Sequence, residues 1–72
     1  MSSETFNVVQ FLEDGTQEYV RRNVGAKEAV TAAHHYCHSV GARMGITRRV
    51  IITDDADCCA FEWKHGEGVT FK

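Results

Sequence analysis

Seventy-two residues make one domain, and a chain this short buries only about 60% of the surface its unfolded form exposes. With 43% apolar and 25% charged residues it has the make-up of an ordinary globular protein rather than a disordered tail. A net charge of −2 gives no electrostatic reason to expect nucleic acid or an anionic membrane as partner.

Residues 1–4 are polar and are expected to be disordered, leaving 5–72 as a single α+β domain. MSSETF lacks the basic and apolar regions of a signal peptide, and no run is long enough to span a bilayer. Three cysteines, two of them adjacent, are a poor disulfide framework. A reducing cytoplasm is the expected location, with no membrane partner.

Phe6 to Leu12 is rich in β-formers, and Thr16 to Val24 returns as a second strand. Glu13-Asp14-Gly15 between them is a hairpin signal, because Gly15 can take the positive φ such a loop demands. A three-residue loop pairs Leu12 with Thr16, Val9 with Tyr19 and Val8 with Val20. A two-residue Asp14-Gly15 loop is the alternative. In the first register Phe6, Val8, Leu12 and Val20 share one face, and Val9, Phe11, Tyr19 and Arg21 share the other.

Ala26, Ala29, Val30, Ala33, Cys37, Val40, Gly41 and Met44 recur at spacings of three and four, the stripe of an amphipathic helix. Gly25 can cap its start, and Gly45 is placed for the left-handed residue that stops it. An earlier end near Gly41 is the alternative.

Thr47 to Thr53 and Cys58 to Lys64 read as a second hairpin around Asp54–Asp57. Pairing Asp54 with Asp57 sets Ile52 opposite Cys59, Val50 opposite Phe61 and Arg49 opposite Glu62. Val69 to Phe71 adds a short fifth strand. The predicted core is Val8, Val30, Ala33, Cys37, Val40, Val50, Ile52, Phe61 and Trp63.

The order is hairpin, helix, hairpin: a two-layer ββαββ domain with one helix on one face of a four- or five-stranded sheet. A β-grasp order, with the first and last long strands parallel in the middle, is favoured over other antiparallel orders. The layout resembles that of immunoglobulin-binding β-grasp domains, with Glu28-Ala29-Val30 in the helix and Asp54-Asp55-Ala56 in the following hairpin. The resemblance covers the element order and those few residues and carries no binding residues over.

Candidate chemistry is sparse. His34 and His38, four apart, project from one side of a helix beside Cys37, and imidazole pairs at this spacing can ligate zinc or copper. A structural site needs four ligands, and Cys58, Cys59 and His65 complete one only if the fold brings them close. No metal and no cofactor are therefore expected. Asp54, Asp55 and Asp57 read as turn formers rather than a cation site. Cys58 has no base or oxyanion hole in its local sequence, so no enzyme is expected.

The face away from the helix carries Val9, Phe11, Tyr19, Arg21 and Ile51. A contiguous patch of this kind suggests an interface. The expected role is a non-enzymatic interaction module, a homodimer or a contact for an unidentified protein. The rival partner is single-stranded nucleic acid on Phe11, Tyr19, Arg21 and Arg49, since open sheets with aromatic and arginine side chains stack bases. The acidic balance of the chain disfavours it.

Overall fold

The computed structural model describes residues 4–56 and 58–71. The elements are β1 (Phe6–Leu12), β2 (Gln17–Val24), α1 (Ala26–Cys37), α2 (Val40–Arg43), β3 (Thr47–Asp54), β4 (Cys59–Lys64) and β5 (Gly68–Phe71). The disorder expected of residues 1–4 falls outside the described residues except at Glu4, which is exposed. The expected turn partner Asp57 also lies outside them.

The five strands form one antiparallel sheet in the order β2-β1-β3-β4-β5, and α1 packs on β1, β2 and β3. This corrects the β-grasp expectation, because β1 lies antiparallel to β3 and does not pair with β4. Composition explains the choice. The grasp order would put β4 rather than β3 in the middle of the sheet. Val50-Ile51-Ile52 in β3 is apolar on both faces and takes that place beside Val8-Val9 of β1. With β3 next to β1, α1 crosses one strand rather than two.

The first hairpin has the three-residue loop. Leu12 donates its N–H to the Thr16 carbonyl at 2.8 Å, Gly15 has φ 89°, and Val9 pairs with Tyr19. Beyond Tyr19 the pairing departs from the expectation. Val8 faces Arg21 rather than Val20, and Phe6 faces Val24, so β2 carries two extra residues. Asn23, with φ 54°, sits in the second irregularity and donates its N–H to Asn7 Oδ1. Bulges of this kind re-aim side chains. Val20 and Val24 both pack against the core, and Arg21 is turned to the helix side.

The second hairpin is slipped by two residues from the expected pairing. Val50 faces Trp63, Ile52 faces Phe61 and Arg49 faces Lys64. The turn supplies one of the two residues: Asp54 donates its N–H to the Cys58 carbonyl, and its Oδ1 accepts the N–H groups of Ala56 and Cys58. An even slip preserves the faces, so Phe61 and Trp63 still lie with Val50 and Ile52. An irregularity between Ile52 and Thr53 supplies the second residue, so Thr53 faces Cys59 while Ile52 faces Phe61. Cys59, expected opposite Ile52, is therefore exposed, and Ala60 faces the helix side near Ile52.

The helix is shorter than the 26–44 stripe. Ser39 ends the regular run. Its hydroxyl donates to the Tyr36 carbonyl and accepts the Ala42 N–H, capping α2. Gly41 allows α2 to lie close to β3, since a Cβ there would come within 3.2 Å of Thr47 Oγ1. Gly45, with φ 81°, follows the end of α2 as expected.

The core cluster under α1 is Val8, Ala29, Ala32, Ala33, Val50 and Ile52, with Cys37, Phe61 and Trp63 partly covered at the margin. Val30 and Val40, expected in the core, are exposed. The stripe is rotated toward Ala32 because α1 sits over β1–β3 and leans away from β4. Under the loops, Gln10 and Thr47 form a buried polar pair. Thr47 Oγ1 donates to Gln10 Oε1 at 3.0 Å, and Gln10 Nε2 donates to Glu18 at 2.6 Å.

Val50 is fully buried between β1 and β4, so Val50→Ala should cost about 1–3 kcal/mol in a denaturant titration. Val40→Ala, on an exposed site, should change stability by less than about 0.5 kcal/mol. Equal costs at both sites would contradict this core.

Candidate binding surfaces

The pairings lay the helix-free face out in rows across the sheet. One row runs Tyr19, Val9, Ile51, Glu62, Phe71, and the next runs Gln17, Phe11, Arg49, Lys64, Gly68. Val9 is only 2% exposed although no helix covers it. Its flanking side chains, Tyr19 and Ile51 in its own row, close over it.

Of the expected interface residues, Val9, Phe11, Tyr19 and Ile51 share this face, and Arg21 does not. Arg21 Nε lies 3.8 Å from Glu28 Oε2 on α1, in a hollow with Thr31, Ala32 and His35. Its neighbour takes its place: the Arg22 guanidinium lies over the Tyr19 ring, 4.4 Å from the centroid. Arg49 lies over the Phe11 ring at 5.0 Å. Arg49 also pairs with Glu62, diagonally rather than directly opposite as expected. Partial desolvation of Glu62 opposes ionisation. The Thr70 and Arg49 hydrogen bonds and the charges of Arg49 and Lys64 outweigh it and lower its pKa.

Arg22, Lys64 and Phe71 were not among the residues expected on this face. Nothing in the pattern of β2 signals Arg22, because an unseen bulge inverts the alternation there. Phe71 was signalled, since Val69-Thr70-Phe71 reads as a strand.

The second surface lies on the helix side. Two hollows of about 200 and 230 Å³ share Phe61 and run between α1 and the β4–β5 wing. Ala26, Val30, His34 and Cys37 line the helix wall. Phe61, Trp63 and Val69 line the sheet.

His34 and His38 stand at one end of this groove. Their rings stack at 6.1 Å, and His38 Nδ1 lies 2.9 Å from the His34 carbonyl oxygen. Among the described residues no group of three or more His, Cys, Asp or Glu side chains is placed to hold a metal. His65 packs edge-on to Trp63, and Cys58 and Cys59 are exposed at the far hairpin. Asp54 uses its carboxylate on the turn, as its position suggested. No helix among the described residues is long and apolar enough to cross a membrane.

The chain matches no protein-family model, and neither a curated protein nor a solved structure is significantly similar to it.

Burial pushes the Cys37 thiol up to about 11, so it is protonated near neutral pH. The thiolate is the reactive form. Cys58 and Cys59 should therefore react with a disulfide reagent well before Cys37, giving two fast thiols and one slow. Three thiols reacting at one rate would contradict the placement of Cys37.

Proposed function

We propose that this chain is a non-enzymatic interaction module that self-associates through the groove between α1 and the β4–β5 wing. The observation that carries the reading is the exposure of apolar side chains on both walls of that groove. Val30 on the helix is 49% exposed and Val69 on β5 is 51% exposed, over a floor of Phe61 and Trp63.

Size supports it. Five strands at roughly 4.8 Å spacing span about 24 Å, and one helix is about 10 Å wide. The wing beside α1 is left bare. The largest fully buried side chains are three valines, and the cysteines are free. A domain with so small a core gains from further burial, at about 25 cal/mol per Å² of apolar surface.

A second copy suits the groove better than the helix-free face. A two-fold contact sets a surface against itself. Among the described residues the groove lining carries no Lys, Arg, Asp or Glu, so it meets itself without like-charge repulsion. The helix-free face would bring Arg22, Arg49 and Lys64 against their own copies, which favours moving the contact from Phe11 and Ile51 to Val30 and Val69.

Sedimentation across micromolar concentrations should give a monomer–dimer equilibrium, with Trp63 emission shifting to the blue as the dimer forms. Val30→Glu and Val69→Lys should each weaken the dimer about tenfold or more while leaving the far-ultraviolet circular dichroism unchanged. A monomer at all concentrations up to about 1 mM would sink the reading. So would a dimer weakened by Ile51→Asp and not by Val30→Glu.

A further inference from the structure

We propose that the helix-free sheet face is a binding site for single-stranded nucleic acid. The site is separate from the groove and does not depend on self-association there.

Charge on this domain is segregated. The chain as a whole carries −2, yet among the described strand residues the helix-free face holds three cations, Arg22, Arg49 and Lys64, against one carboxylate, Glu62. That carboxylate is committed to Arg49 and to the Thr70 hydroxyl. Among the described residues Arg22 and Lys64 pair with no carboxylate. Glu18, Glu28 and Asp54 belong to the helix side or to α1: Glu18 bonds Gln10, Glu28 faces Arg21, and Asp54 pairs with Phe6. The strands of this face are therefore more basic than the chain as a whole.

The same face carries three aromatic rings on three strands, Phe11 on β1, Tyr19 on β2 and Phe71 on β5. Tyr19 and Phe71 are 43% and 52% exposed. Two of the rings have a guanidinium over them. A planar guanidinium held on a ring is itself a stacking surface for a base, and it puts a positive charge within reach of the adjoining phosphate. Gln17 beside Phe11, and Asn7 and Thr53 in the row on the other side of Val9, offer uncharged hydrogen-bonding groups.

Unstacked bases are what an open sheet of this make-up accommodates. A duplex hides the base faces, and this face has no helix or projecting ribbon to enter a groove. A second copy of the chain is a poor occupant, because the cations would oppose one another. An acidic protein would satisfy Arg22 and Lys64 but would make no particular use of the rings.

The test is fluorescence anisotropy with a labelled oligothymidylate of about 15 nucleotides and the matching oligouridylate, on the intact chain at low salt. The same-length duplex and polyglutamate serve as competitors. Binding should be in the micromolar range, and the single strands should compete better than the duplex. The logarithm of affinity should fall with the logarithm of salt concentration with a slope of about −1.4, for two free cations at about −0.7 each. Arg22→Gln should reduce that slope by about 0.7. Tyr19→Ala and Phe71→Ala, both at exposed sites, should each weaken binding about fivefold or more without changing the slope. No binding at low salt would overturn the proposal. It would equally be overturned if duplex or polyglutamate competed as well as the single strands and the ring variants bound normally, since the face would then be a general polyanion or acidic-protein surface.

Discussion

One twelve-residue helix has to cover a five-stranded sheet, and it cannot. α1 settles over β1, β2 and β3, where Ala29, Ala32 and Ala33 let it lie close against Val8, Val50 and Ile52. The small alanine contacts allow a close approach, and the cost is breadth: the helix shields little beyond the strands directly beneath it. Everything to the side of it is left half covered, which is why Phe61 and Trp63 are margins of the core rather than its centre. The apolar groove beside Val30 is a direct result of this mismatch between helix width and sheet width.

The other face has no helix at all, and the sheet protects itself there with its own side chains. Val9 is the central case: a valine on an uncovered face, almost completely shielded by its neighbours. Tyr19 and Phe11 provide bulk around it, and Arg22 and Arg49 lie over those rings. Such cation–ring contacts contribute roughly 0.5–1 kcal/mol at exposed sites. The arrangement covers an apolar row with a charged roof, and so one device both shields the central strand and gives the face its basic character.

Much of this was legible in the chain. The Glu13-Asp14-Gly15 loop, the Val9–Tyr19 pair and the common face of Val50, Ile52, Phe61 and Trp63 follow from turn chemistry and alternation. The irregular residues were not. An extra residue in a strand leaves no mark in a pattern of alternating residues, yet it inverts every side chain beyond it. The first such residue in β2 exchanges Arg21 for Arg22 on the helix-free face, and the second returns Val24 to the helix side. One in β4 brings Cys59 out and Ala60 toward the helix. The two-residue slip of the second hairpin did less harm, because an even shift keeps the faces. Strand order was obscured for a different reason: it depends on which strand supplies the apolar run for the middle of the sheet, here Val50-Ile51-Ile52 of β3. Ser39 was hidden by the stripe that continues past it, where a hydroxyl competing for backbone groups outweighs the apolar spacing of Val40 and Met44.

The first bulge of β2 turns Arg21 to the helix side and leaves Arg22 over Tyr19 on the helix-free face. Proton–proton cross-relaxation from the Tyr19 ring measures this most directly. Cross-peaks to the side-chain methylenes of Arg22 and to the methyl groups of Val9 are the predicted result. Cross-peaks from the Tyr19 ring to Arg21, with none to Arg22, would contradict it.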